Sequence, residues 1–75
     1  MKFIYRNEFN SENYKVFSGY IQNEDGTNKG FRYYKTTTDY IMIEKENNRW
    51  FDGTDTLEGQ SIIKNINEKE KNKTL

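Results

Sequence analysis

The sequence predicts a small α+β domain in which an antiparallel sheet, built from two hairpins and a short leading strand, is followed by one C-terminal amphipathic helix. Three observations carry this reading. Strand-forming aromatic and branched residues cluster in short runs, a polar Asn23-Glu24-Asp25-Gly26 turn separates two of those runs, and apolar residues near the C-terminus change to helical spacing.

Taken in order, Lys2 to Arg6 reads as a strand, because Phe3, Ile4 and Tyr5 are strand formers bounded by the polar run Asn7 to Asn13. Tyr14 to Thr37 reads as a hairpin, with Asp25-Gly26 supplying the positive φ that a tight connection needs. Gly19 inside its first strand predicts a bulge or a close backbone approach. Tyr40 to Glu46 and Arg49 to Phe51 read as a second hairpin around Asn47-Asn48, with a helix capped by Thr38 or Asp39 as the alternative. Asp55 followed by Glu58 fits a capping box, and Leu57, Ile62, Ile63 and Ile66 then give an amphipathic helix from about Thr56 to Asn67. The expected organisation is one domain over 1–67 and a charged tail over 68–75 that is either a solvated helix end or disordered.

Composition narrows the functional classes. A chain of 75 residues holds one domain with a marginal core, which natural proteins of this size reinforce with disulfides, metals or partner chains. There is no Cys and no His, so disulfides, thiolate metal sites and histidine-based acid–base catalysis are excluded. Ser11 and Ser61 stand in no nucleophile motif, the glycines form no phosphate-cradling loop, and Asp52 to Glu58 departs from the calcium-loop pattern. The expectation is a protein that is not an enzyme and carries no cofactor or metal. Twelve Lys and Arg balance 12 Asp and Glu, so no net charge draws the chain to nucleic acid or to an anionic membrane. No apolar run spans a bilayer, and MKFIYRNEF lacks the character of a signal peptide, which together predict a cytosolic protein.

The aromatic pattern points to binding. Alternation puts Tyr14, Val16 and Tyr20 on one face of the first hairpin and Phe17 and Ile21 on the other. One helix covers one face, so a second copy of the chain is expected on the other, as a homodimer. Tyr33, Tyr34, Arg49 and Trp50 supply residue types enriched at interface hot spots, and Glu24, Asp25, Asp52 and Asp55 supply acidic flanks. Those eight form the expected partner-binding set, with the single Trp50 equally suited to a core. An acidic surface of this kind fits the basic, nucleic-acid-binding surface of a target. Two other readings compete: a single-stranded nucleic-acid platform using Tyr33, Tyr34, Lys15, Arg32 and Lys35, and an accessory subunit of a larger assembly.

Asn, Lys, Ile, Tyr and Phe dominate the chain, and their AT-rich codons suggest a low-GC bacterial or phage gene. The hairpin from Tyr14-Lys15-Val16 through Gln22 and the acidic turn to Tyr33-Tyr34 resembles that of phage uracil-DNA glycosylase inhibitors. In size and character the chain also resembles a small sliding-clamp inhibitor of staphylococcal phages. The resemblance implies a dimeric inhibitor that occludes a host protein of DNA replication, repair or defence.

Overall fold

Every strand pairs with its sequence neighbour. The computed structural model, which describes residues 2–45 and 48–73, shows β1 (Lys2–Asn10), β2 (Lys15–Gln22), β3 (Asn28–Lys35), β4 (Tyr40–Lys45) and β5 (Arg49–Asp52), followed by α1 (Leu57–Lys73). The five strands form an antiparallel sheet in the order β1-β2-β3-β4-β5. Tyr40–Lys45 and Arg49–Asp52 therefore pair as two strands and do not take the helical alternative. Asn48 holds φ at 61°, a left-handed value that Asn tolerates well. Glu46 and Asn47, the other residues of that predicted turn region, lie outside the described residues.

The turn between β2 and β3 closes through local chemistry. Asn23 N–H donates to Thr27 O at 2.8 Å, and the Asp25 carboxylate accepts from Thr27 N–H and hydroxyl at 2.9 and 2.6 Å. Those two donors, the hydroxyl foremost, hold Asp25 below the usual carboxylate range. Gly26 sits at φ 89°, as its place beside Asp25 predicts.

β1 is longer than the sequence predicts. The polar residues after Arg6 continue the strand because a bulge between Asn7 and Phe9 absorbs a change of register. The Asn7 side chain fills the bulge, donating to Phe9 O at 2.9 Å and Val16 O at 3.1 Å. Gly19 is the close approach expected of it: a Cβ there would stand 1.9 Å from Ile4 O.

Registered pairs set the two faces. Phe17, Ile21, Phe31, Tyr33, Ile41 and Ile43 share the face under α1 and pack against Ile62, Ile63 and Ile66. Truncating any of these isoleucines to Ala would cost about 2–5 kcal/mol, a large share of the stability of so small a chain. Phe3, Tyr5 and Phe51 flank the cluster. Tyr33 belongs to this core, with no exposed surface, so it leaves the partner-binding set: β-strand alternation turns it towards the helix and its neighbour Tyr34 away from it. Leu57, expected in the helix's apolar stripe, is 92% exposed at the first turn.

The helix is capped differently from the expectation, and of the two alternatives for the charged tail it takes the helical one as far as it is described. Its cap is Thr56 and not Asp55: the Thr56 hydroxyl accepts from Gly59 N–H at 2.9 Å and donates to Gly53 O at 2.7 Å. Glu58 pairs with Lys29 at 2.9 Å instead of closing a capping box. The predicted tail is helical as far as Lys73. Polar contacts with β1 and β3 support this extension, since Tyr5 hydroxyl donates to Glu70 at 2.8 Å and Lys69 Nζ lies 4.9 Å from the Phe3 ring centre. Lys35 Nζ donates to Asn67 at 2.7 Å, and Asn67 Nδ2 donates to the Tyr33 hydroxyl at 3.3 Å.

Two outcomes follow for stability. A Cβ on Gly59 would stand 1.9 Å from Gly53 O, so Gly59→Ala, normally worth about 1 kcal/mol to a helix, should instead destabilise by about 2 kcal/mol in urea unfolding. A raised urea midpoint would contradict this docking of α1. Burial pushes the Tyr33 hydroxyl from 10.0 up to about 12. The unfolded chain then loses this proton first as pH rises, so stability should be full below pH 10 and decline towards about pH 12. Urea midpoints across that range should fall less steeply for Tyr33→Phe; an unchanged slope would contradict the assignment.

Candidate binding face

Among the described residues, no element lies over the face opposite α1. Its residues fall into three rows across the strands. The first runs Ile4, Tyr20, Gly30 and continues to the Glu44–Trp50 pair; the second runs Arg6, Ser18, Arg32, Met42, Asp52; the third runs Phe9, Val16, Tyr34, Tyr40.

Aromatic rings stand at both ends of the face with charge between them. Tyr34 and Tyr40 stack with ring centres 4.5 Å apart and planes within 11°, and Phe9 packs on Tyr14 at 5.5 Å. Together they cover Val16, which is buried although it lies on the outer side of the sheet. At the other end Trp50 is 48% exposed and leans over Gly30, where a Cβ would stand 3.3 Å from the indole. The single tryptophan is thus a surface residue. An open groove of about 560 Å³ lies between Tyr20 and Trp50, with Gly30 in its floor and Arg6 and Arg32 on its side.

The central row is electrostatically uneven. Glu8, carried over the sheet beside the bulge, accepts from Ser18 hydroxyl at 2.5 Å and lies 3.3 Å from Arg6 and 3.8 Å from Arg32. The Ser18 hydroxyl first, and then the two arginines, lower its pKa. Two guanidinium groups therefore share one carboxylate on the β1–β3 side. Tyr34, first among its neighbours, holds the Arg32 guanidinium firmly charged. On the β4–β5 side the charges are Glu44, whose carboxylate accepts from Gly30 N–H at 3.1 Å, and Asp52. Asp52 accepts from Thr54 N–H and hydroxyl at 2.9 and 2.5 Å, the hydroxyl being the larger cause of its lowered pKa. That contact makes Asp52 the start of the turn that follows β5, and no cluster of metal-ligating side chains occurs among the described residues.

Of the sequence-predicted set, the fold brings Tyr34, Trp50 and Asp52 onto this one face. Glu24 and Asp25 are exposed in the β2–β3 turn. Asp25 and Arg49 line an open polar cleft of about 930 Å³ between that turn and the one joining β4 to β5. Asp55 is exposed in the loop between β5 and α1, and Tyr33 is in the core. Tyr20, Tyr40, Met42, Arg6, Ser18 and Arg32 complete the face; of these, only Tyr20 and Arg32 carry a sequence signal, and the rest depend on strand register. Lys15 and Lys35 pair with each other on the helix side, leaving Arg32 as the only cation of the proposed nucleic-acid platform on the aromatic face. Among the described residues, no helix is long and apolar enough to cross a membrane.

No family model, curated protein or solved structure matches this chain.

Proposed function

We propose that the chain is a stoichiometric binding protein whose outer sheet face, centred on Trp50, Tyr34 and Tyr40, covers a functional surface of a partner protein. The observation that carries this reading is the uncovered face itself. Tyr, Trp and Arg with an aliphatic neighbour, desolvated together, are the composition of an interface centre, whereas a face built only for water would alternate to polar residues. The partner's chemistry follows from charge. Glu44 and Asp52 flank Trp50 on the sheet, and Asp25 lies across the cleft from Glu44, which suits a basic surface such as one that binds nucleic acid.

The resemblance to phage inhibitors names the corresponding partner class, a host protein of DNA replication, repair or defence, blocked by occlusion and without turnover. The alternative of direct binding to single-stranded nucleic acid draws on the arginines beside exposed rings. Glu8, Glu44 and Asp52 on the same face weigh against it, because phosphate binding needs a net positive groove.

The test uses the immobilised chain, a low-GC bacterial lysate and mass spectrometry to identify the captured protein, followed by kinetics on the purified pair. Trp50→Ala and Tyr34→Ala should each speed dissociation, by about 2 kcal/mol or more in affinity, with a nearly unchanged melting curve. Reversing Glu24 and Asp25 to Lys should mainly slow association and alter its salt dependence. Wild-type kinetics for both aromatic variants would remove this face from the account. A salt-sensitive submicromolar complex with single-stranded DNA would put the nucleic-acid reading in its place.

A further inference from the structure

The outer face is complementary to itself. This inference rests on the reading of that face as the contact surface, and concerns its occupant when no other partner is present. Consider two copies face to face, related by a two-fold axis that runs parallel to the strands between β3 and β4. Rotation about such an axis moves no residue along the strands, so each row meets the same row of the second copy. β3 then opposes β4 of the second copy, and β2 opposes its β5.

The side chains brought together are matched in size and charge. Tyr34 meets Tyr40 of the second copy, and Tyr20 meets its Trp50. Arg32 lies over Met42 of the second copy, an apolar partner for the stem of the guanidinium side chain. The central row gives the sharpest match. Ser18 stands between Arg6 and Arg32 in its row, and the residue that arrives opposite Ser18 is Asp52 of the second copy. Glu8 already accepts from Ser18 and lies beside both arginines; one carboxylate against two guanidinium groups leaves this patch net positive, and the incoming Asp52 balances it. The symmetry makes this contact twice.

The opposite axis, perpendicular to the strands, would place Arg6 on Arg6 and Asp52 on Asp52. The arrangement of cations on β1 and β3 and anions on β4 and β5 therefore selects one orientation. The extent also suffices. An overlap of β2 to β5 at roughly 4.8 Å spacing, with about six residues per strand at roughly 3.3 Å, covers on the order of 400 Å² in plan. Projecting rings raise the accessible area towards the roughly 800 Å² per partner of a standard interface.

We infer that a second copy of this chain covers the outer face, pairing Asp52 of each copy with Arg6 and Arg32 of the other, and that any other partner reaches the face by displacing it. Sedimentation equilibrium at micromolar concentration should show a dimer. Asp52→Arg and Arg32→Glu, each alone, should weaken that dimer at least about tenfold while circular dichroism shows a folded chain. Mixed in equal amounts, the two variants should recover most of the lost pairing, because in the mixed dimer the two altered charges meet each other at one symmetric contact and the other contact keeps its original charges. A wild-type monomer, variants that pair as well as wild type, or a mixture that pairs no better than its components would overturn the inference. A monomer that still loses its partner on Trp50→Ala would leave the proposed function standing without self-pairing. A charge-swapped dimer whose partner affinity ignores Trp50 would do the reverse.

Discussion

One helix can shield one face of a sheet, and this chain has a single helix laid across five strands. That imbalance governs the rest of the molecule. The face under α1 takes the isoleucines and the most buried rings, and its hydrogen-bonding groups are satisfied by contacts such as Tyr5 with Glu70 and Tyr33 with Asn67. The other face keeps a similar load of aromatic side chains with none of the described elements above it. In a chain with no disulfide and no His or Cys to hold a metal, apolar surface of this kind is the main source of further free energy still available. The proposed association would realise it.

The way α1 is held explains how so little chain defines the geometry. Gly53 and Gly59 bring the helix N-terminus against the end of β5, where no side chain could fit between them, and Thr56 caps the first turn. At the far end, Lys69 and Glu70 tie α1 to the aromatic rings of β1. The helix thus contacts the sheet at both its last strand and its first.

Much of this was legible in the sequence, for identifiable reasons. Turn chemistry at Asp25-Gly26, the strand-forming runs and the spacing of Ile62, Ile63 and Ile66 are local signals, and they lead directly to the hairpins and the helix. Alternation separated Phe17 and Ile21 from Val16 and Tyr20 correctly. The extension of β1 through polar residues was not visible, because it depends on a bulge stabilised by the Asn7 side chain. The sequence left open whether the helix continues beyond Ile66, since its support comes from charged groups set over rings more than sixty residues away in sequence. Tyr33 and Tyr34 looked equivalent as interface residues; only the helix packing on one side of the sheet separates them. The row Arg6, Ser18, Arg32, Met42, Asp52 draws on five strands, and no local pattern in the chain could have assembled it.

Charge gives the outer face its direction. Hydrophobic burial alone would let two sheets meet in several orientations, but the guanidinium groups near β1 and β3 and the carboxylates on β4 and β5 favour one of them. The central claim is that this face becomes covered in solution, and Trp50 is a built-in reporter because it is the only tryptophan in the chain. The most direct measurement is its fluorescence emission and its quenching by acrylamide as protein concentration rises. If the account is correct, emission moves to shorter wavelength and quenching falls along a single association curve. An indole that stays equally exposed at every concentration would contradict it.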